Sequence, residues 1–198
     1  YEMPVQYRAG ILAEHKAVRG RVGVFDVSHM GEFIVRGARA LEFVNYVTTN
    51  DVGKLDLFQA QYGVICNEKG SALDDCITYR LQGTDADEYM IVVNASNREK
   101  DYQWISQFAQ RFNVSLIDRS DEIALLAVQG PDAQKVIARI ASIDVDPIKY
   151  YHCAYGEVAG RRAVISRTGY TGEDGFELYL EAKDAPAVWA ALHEAGKE

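Results

Sequence analysis

Asp75 is the side chain best placed by its sequence to do chemistry. It lies in the run Gly70 to Tyr79 (GSALDDCITY), which reads as the second strand of a hairpin. Alternation along a strand sends neighbours to opposite faces. Leu73, Asp75, Ile77 and Tyr79 then share one face, and Ala72, Asp74, Cys76, Thr78 and Arg80 the other. Asp75 is therefore a carboxyl in an apolar row. Burial disfavours the charged form, so a carboxyl so placed can hold or exchange a proton near neutral pH. An aspartate paired with a buried cation or with backbone donors fits the same pattern. Asp74, on the other face, is expected to be structural or solvent-facing.

The same parity places Met90, Val92 and Asn94 on one face, so an amide ends an apolar row. An amide both donates and accepts, which suits the edge of a heteroaromatic ring, or it can cap the end of a strand. Tyr62 stands in the row Tyr62, Val64, Cys66 and reads as core. The least ordinary stretch is Ser166 to Glu177 (SRTGYTGEDGFE). Its glycines Gly169, Gly172 and Gly175 imply a tight loop with close backbone approach. It carries neither a G-x-G-x-x-G pattern nor a Lys-Ser/Thr ending, so it is not a nucleotide loop. After the loop Phe176, Leu178 and Leu180 form the apolar row, and Glu177 and Tyr179 point the other way, to solvent or a cleft. Ser28 and His29 are adjacent and point apart on an extended segment, and no G-x-S-x-G elbow occurs. Hydrolase chemistry is not expected.

Bulk properties narrow the classes. The 198 residues suffice for one large domain or two small lobes, and 48% hydrophobic with 25% charged residues is an ordinary globular composition. The net charge of −8 comes without a basic stripe, against nucleic acid or an anionic membrane as partner. No apolar run approaches the roughly 20 residues that cross a bilayer. No charged-then-apolar leader opens the sequence, and no secretory signal is expected. Cys66, Cys76 and Cys153 are widely spaced, without the paired spacing of a disulfide framework or zinc site. A reducing compartment and no metal are expected. Cys66 and Cys76 read as small core residues, and the adjacent pair His152-Cys153 is weak as a metal site.

The elements that must position these residues follow from periodicity. Residues 9–19 read as a helix with Ile11, Leu12, His15 and Val18 on one face and Gly20 as its stop. Strands are predicted at 22–27, 32–35, 61–66, 72–81, 88–94, 114–117, 123–128, 155–158, 162–166 and 176–180, and further helices at 38–47, from Ser96, after Gly130-Pro131, and at 186–194. Asn67 to Gly70 supplies a hairpin turn. Ser96 and Glu99 have capping-box spacing. A strand, a short turn and a helix recur three times, at 32–47, 123–140 and 176–193. Strands outnumber helices and crossovers are short. An α+β protein follows, with largely antiparallel sheets flanked by helices in two connected lobes. About 48–120 is expected as an inserted lobe, with 1–47 and 121–198 forming the other.

Five runs occur in a fixed order: Asp26 to Phe33 (DVSHMGEF), Asn67 to Gly70 (NEKG) followed by Asp74-Asp75, Val92 to Asn97 (VVNASN), Gln129 to Pro131 (QGP), and Ser166 to Glu177. Together they resemble the aminomethyltransferase, or T-protein, family of the glycine cleavage system, over essentially the whole chain. The resemblance implies transfer of a one-carbon unit from aminomethyl-lipoyl-lysine on the H-protein to tetrahydrofolate as co-substrate, giving 5,10-methylenetetrahydrofolate and ammonia. It implies no metal or pyridoxal cofactor, and the H-protein and other glycine cleavage components as partners. The expected location is cytoplasmic, or the mitochondrial matrix in a eukaryote.

By motif, the second aspartate of the Asp-Asp run, Asp75, is the residue implied beside the reactive folate nitrogens. There it positions and polarises the folate. Asn94 matches a folate contact near the pterin. Tyr170 and Glu177 match residues of the Gly-rich loop lining that pocket, and Tyr62, Met30 and Val92 match its wall. The family pattern also has a segment before Tyr1. Beyond Glu198 it has a Gly-Ala-Arg-Asp run with an arginine contact to folate, and a C-terminal β-barrel. Residues 1–198 alone are therefore expected to be inactive or nearly so. Two alternatives share the pattern in part. One is a folate-dependent demethylase or the folate domain of an amine dehydrogenase. The other is a non-enzymatic folate-binding module for RNA modification or iron–sulfur assembly. That second branch carries a Lys-Gly-Cys-Tyr type run absent here.

Overall fold

A computed structural model describes residues 3–197 of the chain. It divides into two compact units: Tyr1–His29 with Glu122–Glu198, and Met30–Asp121, which is inserted in sequence. Each is one antiparallel five-stranded sheet with helices packed on it, so the expected α+β class holds.

In the first unit the sheet order is β1 (Gly23–Asp26), β7 (Ile123–Gln129), β10 (Gly175–Glu181), β9 (Arg161–Ser166) and β8 (Cys153–Val158). Alternate residues Leu126, Val128, Phe176, Leu178, Leu180 and Ile165 face α4 (Ala133–Ala138) and α5 (Ala185–Ala195) and meet Val136, Ile137, Val188 and Leu192 in one core. Each such side chain taken from water stabilises by about 1.5–3 kcal/mol before ordering entropy is counted. Pro186 at the start of α5 fits a position whose N–H has no helical partner. Helix α1 (Ile11–Gly20) has no buried residue. The face expected to pack leaves Ile11 52% and Leu12 77% exposed in this chain, so periodicity there marks a helix without marking a core.

The inserted unit has the order β3 (Ala60–Cys66), β4 (Ala72–Gln82), β5 (Asp87–Val93), β2 (Gly31–Arg36) and β6 (Ser115–Asp118). Its core joins Phe33, Val35, Ile65, Cys76, Tyr89, Ile91 and Val93 to Phe43 and Val44 of α2 (Ala40–Val47) and Ile105 and Phe112 of α3 (Arg98–Phe112). The unit starts ahead of residue 48, where the sequence reading placed it. The reason is β2, whose two ladders run to β5 and β6, so it and α2 belong to this sheet. The β3–β4 turn forms as expected. Asn67 Oδ1 accepts from Lys69 N (2.9 Å) and Ser71 N (3.0 Å), and Gly70 takes φ +79°.

One local expectation fails. α3 begins at Arg98 behind a single 3-10 turn (Ala95–Asn97), and no side chain caps it. The Ser96–Glu99 box does not form. Asn97 occupies the cap position, and its amide is turned to Asp74. The other end closes conventionally: Asn113 adopts a left-handed conformation (φ 51°) and Val114 N bonds Ala109 O at 3.2 Å. Among the described residues no helix is long and apolar enough to cross a membrane.

Candidate functional site

β4 lies second in its sheet, and its pairings fix what surrounds Asp75. Asp75 is opposite Val64, Ile77 opposite Tyr62 and Val92, and Tyr79 opposite Met90. Paired residues share a face. Tyr62, Asp75, Ile77 and Val92 therefore lie on the face away from α2 and α3, whose side is taken by Cys76 and Val93. Val92 is buried, Tyr62 is 44% exposed, and Asp75 is half-buried. Met30 is the residue before β2 and is half-buried.

Asn94 follows directly on β5 in extended conformation (φ −68°, ψ 138°). Its Nδ2 donates to Asp75 Oδ1 at 2.8 Å and to Asp74 Oδ1 at 3.0 Å. One amide group thus ties two adjacent carboxylates. The Asn94 backbone N–H adds a bond to Asp74 Oδ2 at 3.1 Å, and Asn97 Nδ2 adds one to Asp74 Oδ1 at 2.8 Å. Of the two roles expected for Asp74, structural or solvent-facing, the structural one holds. Asp74 is buried and accepts three N–H groups. Burial acts to raise its pKa, but the bonds from Asn94, Asp101, Asn97 and the Asn94 backbone outweigh burial and hold it below the usual carboxylate range.

Behind Asp74 stands Asp101, fully buried on the first turn of α3. Burial and the neighbouring Asp74 push its carboxyl up to about 7. The carboxyl with the expected environment of burial is thus Asp101, while Asp75 itself is half-buried and hydrogen-bonded. Cys76, beside them, has its thiol pushed up to about 12 by burial and remains protonated.

The other unit carries the Gly-rich loop. Arg167 donates to Asp174 Oδ1 (2.8 Å), Ile148 O (3.0 Å) and Gln134 Oε1 (2.8 Å), and it holds the Asp174 carboxyl below its usual range. Gln129 Nε2 donates to Thr168 O (3.0 Å) and Phe176 O (3.3 Å), and Gln129 Oε1 accepts from Thr171 Oγ1 (3.0 Å). A Cβ on Gly169 would sit 2.0 Å from Gln129 Oε1, so glycine there lets the loop close on that amide. Tyr170 is 68% exposed. Glu177, expected to face solvent or a cleft, is buried on β10. Burial raises its pKa, opposed by a hydrogen bond from Thr168 Oγ1.

The remaining candidates are structural. Leu125 N donates to Ser28 Oγ at 3.1 Å, and Ser28 N closes a turn on Asp26 Oδ1 at 3.0 Å. Cys76 and Cys153 are buried thiols, whereas Cys66 is only half-buried. His152 Nδ1 lies 3.0 Å from Tyr150 O. Among the described residues no group of three His, Cys, Asp or Glu is arranged to hold a metal.

The model of the GCVT N-terminal domain matches residues 1–198. The chain belongs to that family. It is 51% identical over 197 residues to an aminomethyltransferase of Chloroherpeton thalassium, covering 99% of this chain and 53% of that protein. It is 47% identical over 196 residues to one of Desulfitobacterium hafniense, covering 99% and 53%. The crystal structure of glycine cleavage system aminomethyltransferase T from Bartonella henselae superposes with TM-score 0.87 at 34% identity, covering 96% of this chain and 50% of that one. A heterotetrameric sarcosine oxidase from Corynebacterium sp. U-96 shares the fold, with TM-score 0.63 at 15% identity over 94% of this chain and 90% of that one. The chain spans about half the length of the curated relatives it matches.

Sequence reasoning missed Asn97, Asp101, Gln129 and Thr168 as working parts of these networks. A signal existed for Asp101. It precedes Ile105, Phe108 and Phe112 by four, seven and eleven residues, the spacing of one helix face. That face is the packed one, which makes Asp101 a carboxyl aimed at the core.

Proposed function

We propose that this chain is the folate-binding half of an aminomethyltransferase of the glycine cleavage system. In this reading the enzyme takes the aminomethyl group from the lipoyl arm of the H-protein, delivers the one-carbon unit to tetrahydrofolate and releases ammonia. The observation that carries it is the Asn94 bridge to Asp75 at 2.8 Å, on a sheet face shared with Val92 and Tyr62. A carboxylate accepts hydrogen bonds only, through two oxygens with about four lone-pair sites. With one oxygen steadied by Asn94, Asp75 can accept an N–H of the folate and raise electron density at the nitrogen that attacks the aminomethyl carbon. Val92, Met30 and Tyr62 offer apolar and aromatic surface for the ring system. Asn94, with its side-chain carbonyl, can read a pterin edge. Tyr170 and Glu177 enter this reading as folate contacts on the family resemblance alone.

The test is ammonia release from aminomethylated H-protein, dependent on tetrahydrofolate, by the full-length enzyme. Asp75→Asn is expected to lower turnover by about a hundredfold while the Kd for folate moves by no more than a few-fold. Unchanged turnover would reduce Asp75 to scaffolding. Ammonia release independent of folate would remove the reading itself, and a demethylase would reveal itself by consuming an N-methylated amine in place of the H-protein.

A further inference from the structure

Asp101 presents a buried carboxyl that the proposed reaction does not use. Its residue is fully buried, and no N–H donor hydrogen-bonds either carboxyl oxygen. Lys100 Nζ lies 3.3 Å from Oδ1, but its hydrogen bond runs to Leu73 O, and its side chain is 45% exposed. An ionised carboxylate in that position lacks the donors it needs. A protonated one carries its own donor, and Asp74 stands beside it as an acceptor. Three N–H groups already bind Asp74, which leaves one of its roughly four lone-pair sites for an O–H.

We propose that Asp101 and Asp74 share one proton, and that this proton fixes the Asn94 bridge and so orients Asp75. Asp101 is then a positioning residue. It acts through Asp74 and Asn94 and does not itself touch substrate. The proposal rests on the role given above to Asp75. The groups facing Asp101 are few. β4 contributes Asp74 and the neutral Cys76 thiol, and α3 contributes Lys100. When the shared proton leaves, two buried carboxylates repel with only a half-exposed ammonium nearby. The Asn94 amide, tied to Asp74 and to Asp75 at once, is the joint that moves. Burial of Asp101 and the pull of Asp74 place that loss at about pH 7.

The experiment uses full-length protein labelled with carboxyl-13C aspartate and with 15N asparagine. One aspartate resonance is expected to titrate near neutral pH and to vanish in Asp101→Asn. The Asn94 side-chain amide is expected to shift with the same midpoint. Asp101→Asn keeps a donor toward Asp74. It should therefore retain turnover, and it should lack the decline in kcat expected of the wild type as pH rises through that midpoint. Asp101→Leu keeps similar bulk without a donor, and should lower kcat about tenfold, as the loss of one positioned hydrogen bond does, with little change in the KM for folate. If no carboxyl titrates above pH 6, or if Asp101→Asn falls as far as Asp101→Leu while folate binding is kept, the shared proton is disproved. An inactive role for Asp75 would surface separately, as unchanged turnover in Asp75→Asn, while the Asn94 titration would still report on Asp101.

Discussion

The aspartate cluster at Asn94 and the loop at Gly169 use the same chemical groups to opposite ends. Around Asn94, three carboxyls stand with two asparagine amides, and the cation nearest Asp101 is half in solvent. Around Gly169, each of the main charges has a partner. Arg167 is matched to Asp174, and the Gln129 amide is met by backbone carbonyls and by Thr171. The first network holds more negative charge than its donors neutralise, so its state depends on a proton. The second is closed by shape, so its state depends on fit. A polar cluster kept short of cations can respond to a substrate N–H, whereas one that is fully paired can only hold a backbone in place.

The largest expected effect sharpens that contrast. Gly169→Ala puts a Cβ 2.0 Å from Gln129 Oε1 at φ +153°, and destabilises by about 3 kcal/mol through clash and backbone strain. Asp75→Asn, in the other network, keeps the volume and is expected to stay within about 1 kcal/mol of wild type. Urea denaturation of the two variants beside the wild type measures both. If Asp75→Asn unfolds as readily as Gly169→Ala, the distinction between a responsive and a rigid network is gone.

How far the sequence reveals these networks follows from what carries them. Strand parity is a property of the backbone, so the separate rows that hold Tyr62, Asp75 and Val92 can be read from alternation. Their common face comes from the ladder register, and Tyr62, read as core, is 44% exposed. The glycines of the loop announce tightness. What they tighten around, Gln129, is some forty residues away in sequence and leaves no local mark. For Asp74 only the structural half of the expectation holds, for a related reason. Alternation sets it on the opposite face from Asp75, and that is correct, but the opposite face is the helix-packed one, and Asn97 arrives there from the cap of α3 and Asp101 from its first turn. The capping box misled because a side chain has more than one use. Asn97 holds the cap position and gives its amide to Asp74. The start of the inserted unit was misplaced because ladder partners of β2 lie far along the chain, at Tyr89 to Val93 and at Ser115 to Asp118.

A middle-sized effect tests whether charge pairing matters to the loop as much as shape does. Arg167 is 17% exposed and reaches Asp174, Gln134 and the Ile148 carbonyl. Arg167→Ala removes charge-assisted bonds worth about 2 kcal/mol. Arg167→Lys keeps the charge but not the fork, and recovers only part of that loss. Full recovery by lysine in thermal denaturation would mean that net charge, rather than the planar fit of the guanidinium, holds the loop closed.

The smallest expected effect asks whether the fitted unit has a proton-dependent member of its own. Glu177 is buried, and burial raises its pKa above the usual glutamate value, with the Thr168 hydroxyl opposing. The sign follows from linkage. Below the unfolded glutamate pKa the group is protonated in both states and favours neither. As pH rises through the folded pKa, ionisation is harder in the fold than in the unfolded chain, and stability falls. Gln in its place accepts the same Thr168 hydrogen bond and never ionises. The difference between Glu177→Gln and wild type should therefore be near zero under acidic conditions and grow in favour of the variant as pH rises, by no more than about 1 kcal/mol. Denaturation midpoints of the pair across pH 4 to 8 isolate this residue, since every other titration is common to both proteins. Parallel curves would mean that Glu177 ionises in the fold as easily as outside it, and that Thr168 fully offsets its burial. The loop's unit would then be governed by fit alone, and proton dependence would belong to the Asn94 cluster.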